Sequence, residues 1–90
     1  MEKIIVRIQE YIKELGAFDI ENVDTIRKVE YEGYSITYFD LDVVKVNYPN
    51  EPEYVSYKDL HQDTLLEILY IAMEYKHKWD TYENKKQNNG

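Results

Sequence analysis

The segment GYSITYFDLDVVKVNY, residues 33–48, decides the fold because apolar and polar residues alternate along both of its halves. Every second residue from Tyr34 to Tyr38 is apolar or aromatic, and the same holds from Val44 to Tyr48. A period of two is typical of a strand with one buried and one solvated face. We therefore predict two antiparallel strands, with Tyr34 and Tyr38 on the same face.

The Asp40-Leu41-Asp42 step interrupts this alternation at the point where the first strand ends. Asp is a preferred turn residue because its side chain can bond the backbone two positions further on. A calcium loop of the EF-hand type would need an oxygen ligand and a glycine where Val44 and Lys45 stand. The step therefore predicts a turn or a bulge, and we expect no bound metal ion.

The chain on either side of this segment extends the sheet. Glu32-Gly33 fits a two-residue hairpin turn, because glycine readily adopts a positive φ, and residues 26–31 are predicted to form the preceding strand. The PNEP segment, residues 49–52, enforces another turn, because proline cannot donate a ladder hydrogen bond. A short fourth strand is predicted over residues 54–57.

Helical periodicity flanks the sheet on both sides. Apolar residues recur three and four apart over residues 4–15, and a glycine follows where a helix commonly ends. A second helix is predicted with its N-cap at His61, because Leu60 and Leu65 have the spacing of a hydrophobic staple. A capping box that begins at Ser56 is the alternative start.

The second helix carries apolar residues around most of its circumference. Such a helix is either largely buried or presents a second apolar face to a partner. Two helices on a small sheet cannot cover all of these residues. We therefore expect Ile71, Met73 or Trp79 to lie in a homodimer interface or in an exposed patch.

The order helix, strands, helix predicts an α+β fold. We expect a two-layer sandwich, in which an antiparallel meander of three to four strands is flanked by an N-terminal and a C-terminal helix. Ninety residues are enough for one domain, which we assign to residues 1–82. The last residues, ENKKQNNG (83–90), contain no apolar side chain, so we predict a disordered polar tail there.

The residue inventory removes several classes of function. The chain has no cysteine, which excludes thiolate metal sites and cysteine nucleophiles. His61 and His77 are sixteen positions apart, about 24 Å along a helix, so they cannot share a metal ion. The three glycines are isolated and form no phosphate-binding loop. We therefore predict a protein that is not an enzyme and that binds no metal and no cofactor.

Charge and hydropathy bear on partners and location. A net charge of -7 disfavours direct nucleic-acid binding, which depends on basic residues, and eight acidic but only three basic residues lie within residues 21–56. Charges interrupt every apolar run near the N-terminus, so we predict neither a signal peptide nor a membrane span. The lack of cysteine fits the cytoplasm. Abundant Tyr, Ile, Asn and Lys are what AT-rich genes encode, which favours a bacterial or phage source.

Ten tyrosines stand out in the composition, and six of them lie in the predicted strand region. Tyrosine suits a half-buried strand, and it is also enriched in protein interfaces because it offers a large, rigid contact area. The predicted interaction surface combines strand tyrosines with apolar residues of the second helix: Tyr34, Tyr38, Tyr48, Tyr54, Ile71, Met73 and Trp79. An acidic rim is predicted at or near the turns, formed by Glu30, Glu32, Asp40, Asp42, Glu51 and Glu53.

These features favour a small acidic, non-enzymatic protein-interaction module that binds another protein or a second copy of itself. The alternative is a nucleic-acid mimic, whose carboxylates imitate phosphates and block a DNA-binding or host-defence protein. Direct nucleic-acid binding through stacked tyrosines would need basic residues that the predicted sheet mostly lacks.

Overall fold

A computed structural model describes the backbone of residues 1–89 and the side chains of residues 1–81. Two helices flank an antiparallel sheet in sequence order, so the predicted α+β class is confirmed. The helices are α1 (Glu2–Leu15) and α2 (Gln62–Asn89), and a short 3-10 helix (Tyr57–Asp59) precedes α2. The sheet has five strands instead of three or four: β1 (Phe18–Asp19), β2 (Val29–Tyr31), β3 (Tyr34–Phe39), β4 (Val43–Asn47) and β5 (Glu53–Ser56).

β3 is the strand around which the sheet is organised. β4 pairs with one edge of β3, and both β1 and β2 pair with the other edge. β2 reaches β3 through the predicted two-residue turn, in which Gly33 adopts a φ of 90°. β1 pairs with the far half of β3, where Phe18 lies opposite Phe39. One edge of β3 is therefore occupied by two short strands, and β5 completes the sheet beyond β4.

The core lies on one face of the sheet. The buried apolar residues of the strands share one phase of the register: Phe18, Val29, Ile36, Phe39, Val44 and Val46. Both helices cover this face with residues spaced three or four apart: Ile8 and Ile12 in α1, and Leu65, Ile68, Leu69 and Ala72 in α2. Burial of one large aliphatic side chain contributes about 1.5–3 kcal/mol. The opposite face carries Ser35, Lys45 and Asn47, none of which is buried.

A β-bulge in β3 changes which tyrosines share a face. The register against β4 shifts between Ile36 and Tyr38, so that Thr37 is an extra residue. An extra residue in one strand moves every following side chain to the opposite face. Tyr38 consequently lies opposite Lys45, on the outer face. The prediction that Tyr34 and Tyr38 share one face is wrong for this reason.

The predicted turn at Asp40-Leu41-Asp42 is confirmed. The Asp40 N–H donates to the carbonyl oxygen of Val43 (2.9 Å), and the Asp40 carboxylate accepts from the N–H of Leu41 (2.7 Å). The Tyr57 hydroxyl donates to the carbonyl oxygen of Asp40 at 2.7 Å. The turn is thus held by bonds of its own and by a bond from the 3-10 helix.

Helix α2 begins where the staple predicts. The N–H of Asp63 donates to Nδ1 of His61 (3.2 Å), and the N–H of Leu65 donates to the His61 carbonyl (3.0 Å). His61 therefore occupies the N-cap position. Ser56, the alternative start, caps the 3-10 helix instead, since its Oγ accepts from the N–H of Lys58 at 3.3 Å.

The predicted polar tail, residues 83–90, lies outside the residues whose side chains are described, and it stays a prediction. The buried apolar residues of the described part belong to one hydrophobic cluster. Within the described residues, no helix combines the length and the apolar character that crossing a membrane requires.

Candidate interaction surfaces

The residues of the predicted interaction surface do not form one surface. Tyr34 and Tyr48 are neighbours at one end of the sheet, and Tyr38 and Tyr54 lie on its outer face. Met73 and Trp79 are exposed on α2, but a separation of six residues places them on different faces of the helix. Ile71 is only 2% exposed and belongs to the core. Ile71 is seven residues, or two helical turns, after Thr64 and so lies on the same side of α2. This side faces the sheet, because Thr64 contacts Tyr31 of β2. Ile71 is therefore not part of a surface.

Three aromatic rings form a row across neighbouring strands, which we call the tyrosine row: Tyr31, Tyr34 and Tyr48. The rings of Tyr31 and Tyr34 stack with centroids 5.1 Å apart at 27°, and the rings of Tyr34 and Tyr48 are 5.5 Å apart at 49°. The two-residue turn places Tyr31 directly opposite Tyr34. Aromatic pairs at such separations stabilise by about 0.5–1.5 kcal/mol beyond area burial. Tyr31 was absent from the predicted surface, although the predicted turn already implies this pairing.

The Tyr31 hydroxyl fixes the row to α2. It lies 2.8 Å from Oγ1 of Thr64, and it donates to the carboxylate of Glu67 at 3.3 Å. Glu67 also faces Arg27 at 3.8 Å, an ion pair that is largely exposed and so contributes little to stability. Because the hydroxyl is held, the ring of Tyr31 loses little conformational freedom when a partner covers it.

Tyr34 is the most enclosed ring of the row. Removal from water raises the pKa of its hydroxyl above the ordinary value of 10.0, and Tyr31 and Tyr48 raise it further. Tyr34, at the centre of the row, therefore presents an uncharged aromatic face at neutral pH. Any charge at this end of the sheet comes from other side chains.

The outer face of the sheet carries a second row, whose members are successive register partners from β1 to β5: Asp19, Tyr38, Lys45 and Tyr54. The Tyr38 hydroxyl donates to the Asp40 carboxylate at 3.2 Å. Loss of water and then the charge of Asp40 raise the pKa of Tyr38. Tyr54, on the edge strand, is 62% exposed. This row mixes both signs of charge, and both helices lie on the opposite face.

A line of four residues runs along α2 at spacings of four, three and four, and we call it the helix stripe: Leu66, Tyr70, Met73 and His77. Tyr70 is 62% exposed and Met73 is 37% exposed, while Leu66 is half-buried. Glu67 and Glu74 lie along one flank of the stripe, seven residues apart. Tyr70 was missed, although its spacing of three from Met73 places both on one face of a helix.

The opposite flank of the helix stripe carries Lys76, which is already paired. Its Nζ donates to Glu14 of α1 at 2.7 Å and lies 3.2 Å from the carboxylate of Asp80. The hydrogen bond that Lys76 donates to Glu14, and to a lesser extent the one that it donates to Asp80, raise the pKa of Lys76. The cation is thus committed to contacts within the molecule.

The predicted acidic rim is divided between the two ends of the sheet, because successive turns of a meander lie at opposite ends. Asp40 and Asp42 occupy the β3–β4 turn, whereas Glu32, Glu51 and Glu53 lie at or next to the turns of the other end, and Glu30 is within β2. In the described part of the chain, no three His, Asp or Glu side chains are grouped as metal ligands would be. A shallow groove at the start of α1 is lined by Glu2, Ile5, Val6, Gln9 and Lys58.

Comparison with known proteins gives no relative. No protein-family model, no curated protein and no solved structure matches this chain.

Proposed function

We propose that the protein is a non-enzymatic interaction module, which binds a protein partner through the helix stripe of α2. The single observation that carries this proposal is the exposure of Tyr70 and Met73 side by side on a helix whose other face already fills the core. Exposed apolar residues that are grouped and bordered by charges are typical of interaction sites. Tyrosine and methionine are both enriched in such interfaces.

The charges beside the stripe favour a different protein over a second copy of this chain. If two α2 helices paired antiparallel through their stripes, the flank that bears Glu67 and Glu74 would face itself. Like charges that flank the seam between two helices oppose their association. Lys76, on the other flank, is held by Glu14 and does not relieve this repulsion. The homodimer is therefore the less favoured form of the interaction.

The experiment is affinity capture from lysate of the protein's own host, with three forms of the full chain. The first is the wild type, the second is the double variant Tyr70→Ala/Met73→Ala, and the third is Tyr54→Ala. Tyr54 and Tyr70 are equally exposed, and they lie on different surfaces, so Tyr54→Ala is the matched control. Thermal unfolding of each form verifies folding, because exposed substitutions change stability by only about 0.5 kcal/mol.

We expect the wild type and Tyr54→Ala to capture the same partner and the double variant to lose it. Capture by all three forms, or by none, would refute the proposal.

The salt dependence of capture distinguishes the alternative function, the nucleic-acid mimic. A basic, nucleic-acid-handling partner that is released at high salt and is indifferent to the helix stripe would support the nucleic-acid mimic. The cytoplasm as the site of action stays a prediction from the lack of cysteine.

A further inference from the structure

We propose that the tyrosine row is a second contact site, which accepts arginine side chains from a basic segment of a protein. This site does not depend on the helix stripe, because its three rings lie at the end of the sheet and belong to strands β2 and β3 and to the residue after β4. The two proposals can therefore fail separately.

The geometry of the row suits a planar cation. Tyr31 and Tyr34 stack at an angle of 27°, and Tyr48 continues the row at 49°, so three aromatic rings lie side by side. Tyr31 and Tyr48 are both exposed. A guanidinium group stacks on such faces and is weakly hydrated, whereas an ammonium group is compact and strongly hydrated. Arginine is therefore favoured over lysine.

The charges around the row select the same ligand. Glu32 lies in the turn between Tyr31 and Tyr34. Glu67 accepts from the Tyr31 hydroxyl, although its charge is partly offset by the exposed ion pair with Arg27 at 3.8 Å. Glu53 lies opposite Val46 in the register, and Val46 is two residues before Tyr48 in the chain. Aromatic faces also stack on nucleobases, but these carboxylates and the net charge of -7 repel phosphates. Charge complementarity thus favours a basic protein segment over a nucleic acid and over a second acidic copy of this chain.

Two peptides of equal charge test the site: deca-arginine and deca-lysine, each titrated into the full chain by calorimetry at moderate salt. Electrostatic attraction alone treats the two alike, so a preference for arginine reports stacking. We expect deca-arginine to bind the wild type at least about threefold more tightly than deca-lysine. Tyr48→Ala removes an exposed ring of the row and is expected to abolish this preference.

Two controls make the result specific. Tyr48→Phe keeps the ring and is expected to keep the preference, whereas a merely structural role of the hydroxyl would lose it. Tyr54→Ala removes a more exposed tyrosine from the outer face and is expected to keep the preference as well. Equal binding of the two peptides to the wild type, no binding of either, or a preference that survives Tyr48→Ala overturns the proposal. The variant Tyr70→Ala/Met73→Ala is expected to retain the preference for arginine. If the wild type shows no such preference, the proposal for the helix stripe is not affected.

Discussion

Tyr57 illustrates how one side chain joins two elements. Its ring is buried in the core, and its hydroxyl donates to the Asp40 carbonyl at the tip of the β3–β4 turn. The Asp40 carboxylate in turn accepts from the N–H of Leu41 and from the hydroxyl of Tyr38. A turn that sequence reasoning treats as local is therefore also stabilised by a residue seventeen positions away.

Replacement of Tyr57 by Phe tests this contact. The ring and its packing remain, but the Asp40 carbonyl loses its donor, so we expect the free energy of unfolding to fall by about 0.5–1.5 kcal/mol. Urea unfolding measures the change. Tyr54→Phe, which removes an exposed hydroxyl, is the control and should change the same quantity by no more than about 0.5 kcal/mol. Equal losses in the two variants would contradict the assignment.

The same hydroxyl makes stability depend on alkaline pH. Burial raises the pKa of Tyr57 above the ordinary value of 10.0, and Asp40 and Asp42 add to the shift. Once the pH exceeds 10.0, the unfolded chain loses a proton that the folded chain retains. The contribution of Tyr57 is therefore complete below pH 10.0, and the free energy of unfolding falls as the pH rises further.

Urea unfolding as a function of pH measures this dependence. Tyr57→Phe should show a shallower alkaline decline than the wild type, by up to about 1.4 kcal/mol per pH unit. Tyr54→Phe should follow the wild type. Parallel declines in the wild type and Tyr57→Phe would show that the hydroxyl does not carry the linkage.

At the scale of elements, alternation and capping signals predict most of the fold, and tertiary contacts determine the rest. Both helices, the Glu32-Gly33 turn and the connections from β2 to β5 follow from local patterns. β1 does not, because a pair of residues shows no alternation and becomes a strand only by pairing with β3. The bulge at Thr37 is not evident from the sequence, because Tyr38 continues the alternation of Tyr34 and Ile36 although it lies on the outer face.

The bulge also explains why the candidate site was only partly predictable. Tyr34 and Tyr38 are four residues apart in one strand, so alternation alone groups them on one face. The extra residue separates them, and the register pairs Tyr34 with Tyr31 instead. That Tyr70 and Met73 share a face was readable from their spacing, but the exposure of that face was not. Ile71 was misplaced because periodicity identifies the apolar residues of a helix but not the side that packs on the sheet.

The start of α2 gives a prediction at this scale. His61→Ala removes the Nδ1 acceptor of the Asp63 N–H, and we expect a loss of about 0.5–2 kcal/mol in the free energy of unfolding. His61→Asn supplies an oxygen acceptor at the same position and should be at least as stable as the wild type. Chemical unfolding of the three proteins makes the comparison. Equal stability of the Ala and Asn variants would show that the cap is not stabilising.

At the scale of the whole molecule, the uneven charge is expected to oppose self-association. Acidic residues outnumber basic ones, and the cation on one flank of the helix stripe is engaged within the molecule. Antiparallel self-pairing would bring Glu67 of each copy towards Glu74 of the other. The molecule is thus expected to remain a monomer until a partner of different charge covers the stripe.

A charge reversal tests this expectation. In Glu74→Lys, the same antiparallel pairing would place Lys opposite Glu67, so repulsion becomes attraction, and self-association should increase. Sedimentation equilibrium over a range of micromolar concentrations measures it. Glu21→Lys changes the net charge equally at an exposed loop position and serves as the control. Equal association of the two variants would mean that the stripe is not a pairing surface for this geometry.

The division of one sheet edge between β1 and β2 has a consequence for the chain at high concentration. A long, flat edge offers unpaired N–H and C=O groups to the next molecule, and amyloid-like aggregates grow from such templates. Here the edge consists of segments of two and three residues, and the opposite edge, β5, has four residues that directly follow Pro52. Interrupted edges of this kind allow a chain rich in tyrosine and valine to form a sheet while opposing edge-to-edge aggregation.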